Sequence, residues 1–295
     1  MPELPEVETI RRQLEPEVVG RGIEGVEILD ERWTRPDAPA EIAARLEGRR
    51  IASVGRRGKY LLVGLEDGAT LVMHLRMTGN IVVSERRLGG ERLHESPPRR
   101  AHLRAVLQLS DARTIEFTDA RRFGNGTILE AHELGPYLDK RLGVEPLGGE
   151  LTPELIGRIA QGRTTPLKSF LLNQKGIAGI GNIYADEALH RARLHPLSPA
   201  GSMREPHWEE LRDGIVAALE LGIANGGSSI DDYRDARGER GSMQEEFLVH
   251  TREGQACPRC SEAISRIVVG GRSTYFCGNC QVRLRRRRRR KRRSR

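Results

Sequence analysis

Two residues at the start of the chain, Pro2 and Glu3, could together perform covalent chemistry. A small second residue normally permits removal of Met1, which would leave Pro2 with a free secondary amine. An α-amino group has a pKa of about 8, so far more of it is unprotonated at neutral pH than of a lysine. Such an amine can attack an aldehyde-like carbon and form an iminium ion, while the adjacent Glu3 carries a proton. Taken alone, a proline that simply begins a helix is the stronger explanation.

Four cysteines near the C-terminus have the spacing of a metal site: Cys257, Cys260, Cys277 and Cys280. The pattern C-x2-C-x16-C-x2-C matches a tetrahedral zinc site in which two tight turns supply two thiolates each. Strand-forming residues flank Gly270 and Gly271, which predicts a zinc-bound β-hairpin. The four cysteines would fill the tetrahedral site, and the sequence has no further cysteine or nearby histidine that would suggest an open, catalytic position. This one zinc ion would therefore be structural. Without a secretion signal, disulfide pairing is the weaker alternative.

The residues that follow Pro2 and Glu3 have the pattern of an amphipathic helix. After Pro5, apolar side chains recur at intervals of three and four, at Val7, Ile10, Leu14 and Val18. This spacing predicts a short helix that ends near Gly20 and carries the reactive pair at its start.

Residues 23–130 form a series of short strands separated by glycines. The clearest strand patterns cover residues 60–63, 70–75, 105–109 and 114–117, with a brief helix over 40–47. Short strands at this spacing favour a β-sandwich or barrel.

The second half of the chain has helical patterns over 153–160, 166–172, 182–192 and 206–222. Glycine and proline residues before it are typical of a linker, and a Gly- and Ser-rich, then charged stretch at 225–246 is expected to be mobile. We predict a multidomain α+β protein with an N-terminal helix and a β-sandwich. Its predicted parts are a β-sandwich domain (1–134), a linker (135–152), a helical domain (153–248), a zinc finger (249–282) and a basic tail (283–295).

The composition is that of a globular protein without a membrane segment. At 295 residues and 37% hydrophobic content, the chain is long enough for about two domains of roughly 150 residues. The longest apolar run, Ile215 to Leu219, is far shorter than the ~20 residues of a membrane helix. The acidic start does not resemble a signal peptide, so we expect a soluble, cytoplasmic protein with no membrane partner.

The net charge of +8 comes from one segment. Residues 281–295 contain ten arginines and one lysine with no acid, and the rest of the chain has 38 bases against 41 acids. A basic run of this density commonly marks a nucleic-acid-binding arm, although a solvated tail without a specific role is the alternative.

Six sequence blocks resemble the bacterial formamidopyrimidine-DNA glycosylases. They occur in the family's order over residues 1–280 and leave only the arginine tail outside. The blocks are Met1-Pro2-Glu3-Leu4-Pro5-Glu6-Val7-Glu8, Gly58-Lys59-Tyr60-Leu61-Leu62, His74-Leu75-Arg76-Met77-Thr78-Gly79, Asp119-Ala120-Arg121-Arg122-Phe123-Gly124, Gly179-Ile180-Gly181-Asn182-Ile183-Tyr184-Ala185-Asp186-Glu187 and the four-cysteine finger.

The resemblance implies a bifunctional DNA glycosylase and AP lyase that removes oxidised purines during base excision repair. It implies that Pro2 is the Schiff-base nucleophile and Glu3 a proton donor. It further implies that Lys59 donates a proton in β-elimination, and that Arg272 grips phosphate and assists δ-elimination. The implied partner is duplex DNA with oxidised purines or abasic sites, bound by a monomer associated with the bacterial nucleoid.

The resemblance also implies a set of DNA contacts. A base inside duplex DNA must be flipped out before it can be attacked, and the vacated space must be filled. The strand-intercalating residues would be Met77, Arg121 and Phe123. Further DNA contacts would come from His102, Arg163, Lys168 and Asn182, the last at the start of a helix in the family's helix–two-turn–helix element. The family often has His-x-His where this chain has Arg100-Ala101-His102, and many relatives have a small residue at Arg76.

Two alternatives stay open on the sequence. An endonuclease VIII-like glycosylase would share the Pro-Glu start and the finger but remove oxidised pyrimidines. The other is a zinc-containing DNA-binding protein without catalysis, which a mature chain that retains Met1 would favour, because its proline amine would be blocked.

Overall fold

The computed structural model describes residues 2–85, 101–230 and 233–285, with only the backbone of Glu85. The chain divides into two compact units. The first contains the residues up to Arg141 together with Leu221–Glu245, and the second contains Leu142–Glu220 and the residues from Glu246 onward. Among the described residues, no helix combines the length and apolar character needed to cross a bilayer.

The first unit contains two antiparallel four-stranded sheets around one core. Its helices are α1 (Leu4–Val18), α2 (Pro39–Leu46) and α3 (Ala131–Asp139). Its strands are β1 (Ile23–Ile28), β2 (Ile51–Arg57), β3 (Tyr60–Leu65), β4 (Thr70–His74), β5 (Gly79–Glu85), β6 (Leu103–Leu109), β7 (Arg113–Asp119) and β8 (Asn125–Leu129). The strand orders are β1-β6-β7-β5 and β2-β3-β4-β8, and buried side chains from both sheets form one apolar cluster. The predicted β-sandwich within an α+β fold is therefore confirmed.

Helix α1 has the apolar face that the sequence predicts. Its four periodic residues are all fully buried: Val7, Ile10, Leu14 and Val18. The helix packs against β2, β3 and β5 and so contacts both sheets. Burial of one face of this helix fixes the direction in which its N-terminal residues enter the unit.

Helix α3 lies where the sequence suggested the start of a linker. Glu130 and Glu133 form a reciprocal capping box that begins the helix ahead of Pro136. Pro136 removes one backbone donor, yet its own carbonyl still accepts the N–H of Lys140 at 3.2 Å. The Gly135-Pro136 pair therefore lies inside a helix, while the domain boundaries themselves stay a prediction.

The second unit is mostly helical and ends in a hairpin. Its elements are α4 (Pro153–Ala160), α5 (Leu167–Leu172), α6 (Asn182–Arg191), most of α7 (Glu205–Ala224), β9 (Ile264–Val269) and β10 (Arg272–Cys277). All four helices begin within one residue of the predicted positions. The hairpin is antiparallel and closes with the pair Val269 and Arg272 around Gly270 and Gly271, whose φ angles of 58° and 75° suit glycine.

Most of the described residues of the 225–246 stretch belong to the first unit and contribute to its core, although we expected a mobile loop. Tyr233 and Ala236 are buried in the core of that unit. Val83 on the edge strand β5 donates its N–H to the Ala236 carbonyl at 3.1 Å, and Gln13 of α1 accepts the Ala236 N–H at 2.9 Å. The segment thus returns to the helix that follows Pro2.

Candidate active site

Pro2 and Glu3 lie at the buried start of α1. Pro2 is buried and Glu3 is only 1% exposed. Glu3 caps the helix: its side chain accepts the N–H of Glu6, and its own N–H donates to Glu6 Oε2 at 2.8 Å. This reciprocal box fixes the backbone immediately after Pro2, so the nitrogen of Pro2 is attached to a rigid element.

Glu6 also connects this helix start to the 225–246 stretch, a role that the sequence did not reveal. Its Oε1 accepts the N–H of Ser228 at 2.7 Å, and its carbonyl accepts the Tyr233 hydroxyl at 3.3 Å. Burial raises the pKa of Tyr233, with further increase from the Glu6 charge, so its phenol stays a donor. A Cβ on Gly227 would lie 2.8 Å from Glu6 Cγ, and the φ of Gly227 is +80°, so this close approach requires glycine.

Lys59 occupies the tight turn between β2 and β3. Arg57 pairs with Tyr60 across the turn, and Gly58 has a φ of 57°, which leaves Lys59 as the second turn residue. Its side chain is 8% exposed, which is unusual for a lysine at the end of a hairpin. Arg56 Nη1 donates to the Gly58 carbonyl at 2.9 Å and holds the turn in place.

His74 is a functional candidate that we did not predict, although it begins one of the recognised sequence blocks. Its ring contacts Tyr60 edge-on with centroids 4.6 Å apart, and its Nδ1 accepts the N–H of Arg76 at 2.9 Å. Burial, together with the charges of Arg76 and Lys59, lowers the pKa of His74 to about 3. The ring is therefore neutral at pH 7, and its proton lies on Nε2 as a hydrogen-bond donor.

The three predicted intercalating residues lie on two neighbouring turns. Met77 is half-buried in the turn between β4 and β5, and Arg121 and Phe123 are exposed in the turn between β7 and β8. Phe123 is 54% exposed, and the Arg121 guanidinium lies 4.9 Å from the centre of its ring. An exposed phenylalanine under an arginine can stack on a nucleobase.

His102 is half-buried just before β6 and beside the second of these turns. Its carbonyl accepts the N–H of Asp119 at 2.8 Å. Arg100, which takes the place of the family's first histidine, lies outside the described residues. This hydrogen bond connects the backbone of His102 to the start of the turn that carries Arg121.

Lys168 and Asn182 lie in the second unit, and the structure places Lys168 in its interior. Lys168 is fully buried, pairs with the buried Asp186 and donates to the Asn182 carbonyl at 2.7 Å. Asp186 also accepts a hydrogen bond from His250 at 2.8 Å if that ring carries its proton on Nδ1. This geometry suits a lysine that supports the first residue of α6 better than one that contacts DNA directly.

Asn182 is the first residue of α6, and its amide Nδ2 donates to the Ser273 carbonyl of β10 at 3.0 Å. This bond joins the N-terminus of the helix to the hairpin whose turn carries Arg272. Arg272 is exposed directly after the glycine turn. Arg163, also exposed, follows α4 and donates its Nε proton to the Ile159 carbonyl.

The four cysteines converge at the base of the hairpin. Their sulfur atoms all lie within 4.8 Å of one another, with 3.9 Å between Cys257 and Cys280 and 3.4 Å between Cys260 and Cys277. Tetrahedral Zn–S bonds of about 2.3 Å require sulfur separations of about 3.8 Å, so the site fits one zinc ion. Four thiolate ligands fill the coordination sphere, as expected for a structural ion.

One neighbour of this centre was not visible in the sequence. His190 on α6 is buried, and its Nε2 lies 3.4 Å from Cys257 Sγ. Burial, helped by the charge of Arg259, lowers the pKa of His190 to about 4, so the neutral ring can donate to the sulfur. Because His190 is distant from the cysteines in sequence, only the fold brings it to them.

The fold and the site together define a class of protein. A terminal amine on a fixed helix start, a buried lysine on a neighbouring turn and exposed stacking residues on the same unit suit attack on a nucleotide that has left its base stack. The helical second unit with its four-cysteine hairpin adds a DNA-binding module. The class is that of the DNA glycosylases with a zinc finger.

Comparisons with known proteins identify the family. Residues 1–126 match the formamidopyrimidine-DNA glycosylase N-terminal domain, residues 142–234 its H2TH domain, and residues 254–282 the zinc finger found in FPG and IleRS. The formamidopyrimidine-DNA glycosylase of Chloroflexus aggregans is 45% identical over 96% of this chain and 99% of its own. The chain belongs to the formamidopyrimidine-DNA glycosylase family.

Solved structures agree with this assignment. The Lactococcus lactis Fpg bound to DNA with an abasic site superposes with a TM-score of 0.86 and 34% identity, covering 95% of this chain and 99% of that one. A MutM structure in complex with DNA containing carbocyclic 8-oxo-G gives a TM-score of 0.84 and 36% identity over 95% and 99% of the two chains.

Proposed function

We propose that this chain excises oxidised purines, formamidopyrimidines and 8-oxoguanine, from duplex DNA and then cleaves the strand at the resulting abasic site. The observation that carries the proposal is Pro2, buried at the start of a capped helix in a member of this glycosylase family. The relative from Chloroflexus aggregans is named for formamidopyrimidine excision, and the two solved neighbours hold an abasic site and 8-oxo-G.

The first step is attack by the Pro2 nitrogen on C1′ of the damaged nucleotide. After removal of Met1, the secondary amine forms the N–C1′ bond while the bond from C1′ to the base breaks. Glu3, fixed by the capping box with Glu6, supplies a proton in this step. The bonded nitrogen then loses its proton and its lone pair displaces O4′. As the C1′–O4′ bond breaks, O4′ takes up a proton, and the opened sugar carries an iminium ion at C1′.

Two eliminations follow from that charge. The iminium ion acidifies the hydrogens on C2′, so loss of one of them expels the phosphate from C3′ with Lys59 as proton donor. Loss of a proton from C4′ then expels the phosphate from C5′, while Arg272 binds the phosphate group. The strand is left with a one-nucleotide gap, and hydrolysis of the remaining Schiff base frees Pro2.

The exposed turns of the first unit open the duplex for this reaction. Met77 and Phe123 would occupy the vacated stack, and Arg121 would bond the orphaned partner base. His102 and Arg163, together with the start of α6 at Asn182, would bind phosphates. Lys168 would act on DNA indirectly, because its ammonium group is buried against Asp186 and the Asn182 carbonyl. One structural zinc ion would hold the hairpin, and the enzyme would act as a monomer on the DNA of the bacterial cytoplasm.

Borohydride trapping tests the mechanism. Reduction during reaction with an abasic or 8-oxoguanine duplex should give a covalent protein–DNA adduct that mass spectrometry assigns to Pro2 of a chain without Met1. Pro2→Gly keeps a primary amine and should retain part of the trapping, whereas a chain that retains Met1 should give none. An adduct on Lys59 would overturn the mechanism while leaving the glycosylase activity in place.

A substrate comparison tests the specificity. Duplexes with 8-oxoguanine should be cleaved faster than matched duplexes with thymine glycol. The opposite order would indicate an endonuclease VIII-like enzyme, and no cleavage of either would indicate a DNA-binding protein without catalysis.

A further inference from the structure

The Asp119 carboxylate lies at the base of both turns that carry the intercalating residues. We propose that Asp119, assisted by Thr78, is a positioning residue that assembles Met77, Arg121 and Phe123 into one rigid wedge before DNA binds. The inference rests on the proposed function, because it assigns a role within the DNA-opening step of that reaction.

Asp119 accepts hydrogen bonds from both turns. Its Oδ2 accepts the backbone N–H groups of Phe123 at 2.8 Å and Gly124 at 2.6 Å. Its Oδ1 accepts the N–H of Arg121 at 3.1 Å and the hydroxyl of Thr78. The residue is 1% exposed, so these bonds are made away from solvent and satisfy the lone pairs of a buried carboxylate.

Thr78 links the two turns directly. While its hydroxyl donates to Asp119, the same oxygen accepts the N–H of Arg121 at 3.1 Å. Thr78 follows Met77 in the chain, and Arg121 begins the other half of the wedge. The position of Met77 relative to Arg121 is therefore set by one side chain on each turn.

Strand pairing brings the two turns together. Strands β5 and β7 pair in antiparallel register, and this pairing places Gly79 opposite Asp119. A Cβ on Gly79 would lie 2.4 Å from the Leu75 carbonyl oxygen, and one on Gly124 would lie 2.6 Å from the Phe117 ring. Both turns can therefore close around the carboxylate only because glycine occupies these positions.

Arg122 anchors the second turn from its other side. Its guanidinium forms two bonds to Asp30, from Nε to Oδ2 at 2.5 Å and from Nη2 to Oδ1 at 2.8 Å. Arg122 has a φ of 61°, which turns its side chain away from those of its neighbours. The backbone of this turn is thus held by Asp119 on one side and by the Arg122–Asp30 pair on the other, while the side chains of Arg121 and Phe123 stay exposed.

A preassembled wedge favours insertion because its residues lose little conformational freedom when DNA binds. Asparagine at position 119 would keep one carbonyl oxygen, but its NH₂ group would face backbone N–H donors. The turns should then separate, and Arg121 should no longer be fixed against the partner base. The chemistry at Pro2 involves none of these bonds.

The experiment compares duplex excision with cleavage of a substrate that needs no opening. Single-turnover excision of 8-oxoguanine opposite cytosine and opposite adenine would be measured beside cleavage of an abasic site in a single-stranded oligonucleotide. Asp119→Asn should slow duplex excision by on the order of tenfold to a hundredfold and reduce the discrimination between cytosine and adenine. Cleavage of the single strand should match wild type.

Asp111→Asn is the matched control, because Asp111 also accepts arginine and backbone bonds at a turn but lies between β6 and β7. It should change neither activity.

Two results would overturn the inference. One is wild-type duplex excision and base discrimination by a folded Asp119→Asn. The other is an equal loss on both substrates, which would indicate a purely structural role. If Asp119→Asn does not fold, Thr78→Val decides in the same assays, since it removes only the linking hydroxyl. If wild type cleaves neither substrate, the proposed function is what fails.

Discussion

The Arg56 guanidinium and the Glu8 carboxylate form a buried ion pair, with Arg56 Nε 3.1 Å from Glu8 Oε2. The side chains of Arg56 and Glu8 are 9% and 11% exposed. Arg56 uses another nitrogen to bind the Gly58 carbonyl, so the pair connects α1 to the turn that carries Lys59. Although burial raises the pKa of Glu8, hydrogen bonds from Arg11, Arg12 and Arg56 bring it below its ordinary value and keep the carboxylate charged.

We predict that Arg56→Leu slows β-elimination at an abasic duplex by on the order of tenfold, because Lys59 loses the support that fixes it relative to α1. Arg12→Leu is the control, since Arg12 also pairs with Glu8 but is 59% exposed and forms no bond to the turn. Strand cleavage measured by gel should separate the two variants. Equal rates would show that β-elimination does not depend on the link from Arg56 to the Lys59 turn.

The lowered pKa of His74 predicts a pH dependence of stability. An unfolded histidine binds a proton below about pH 6.5, whereas His74 in the fold stays neutral down to about pH 3. The unfolded state therefore binds more protons, and stability falls as pH decreases through this window. Between pH 7 and pH 5, wild type should lose about 2 kcal/mol more unfolding free energy than His74→Gln, measured by urea denaturation.

His132→Gln is the control for this prediction, because His132 is exposed on α3. It should follow wild type at both pH values. If His74→Gln also follows wild type, the ring does not resist protonation in the fold.

Local patterns explain why much of the fold was predictable. The apolar spacing of α1, the paired cysteines and the two glycines of the finger each specify structure over a few residues. These signals gave the helix start that holds Pro2 and Glu3 and the hairpin turn that holds Arg272. The turn at Lys59 was recognisable only as a sequence block, and no local pattern in that block predicts that the lysine is buried.

Contacts between distant residues explain the parts that were missed. Gln13 donates to Asp235 at 2.7 Å across 222 positions, and Glu6 binds Ser228 across the same separation, so neither bond has a local signal. The charged composition of the 225–246 stretch suggested a mobile loop, because nothing in it shows that its backbone amides find partners on α1. Asp119 begins a recognised block, but the family resemblance assigned roles only to Arg121 and Phe123 of that block.

The arginine tail should add affinity for DNA without lesion specificity. Residues 286–295 lie outside the described residues and contain nine cations. The chain before them is anchored, because Val282 donates to the Arg193 carbonyl at 2.8 Å and Leu284 to Ser198 Oγ at 2.9 Å. Deleting 286–295 should weaken binding to damaged and intact duplexes alike and flatten the salt dependence, because fewer counterions are released.

The control for the deletion replaces the nine cations with glutamine at constant length, and it should behave like the deletion in fluorescence anisotropy titrations at several salt concentrations. A loss of affinity confined to the lesion duplex at matched salt would contradict a purely electrostatic role.

Loss of the zinc site should remove DNA binding by the hairpin and by α6 together. Cys260→Ser deletes one thiolate, and a structural zinc site supplies on the order of 10 kcal/mol of local folding free energy. Without the ion, β10 can no longer present Arg272 or accept the Asn182 amide at the Ser273 carbonyl. Metal analysis should show less than one zinc per chain and titrations should show weaker DNA binding, whereas Ser265→Ala at an exposed position of β9 should leave both unchanged. Stoichiometric zinc with normal strand cleavage by Cys260→Ser would refute the assignment.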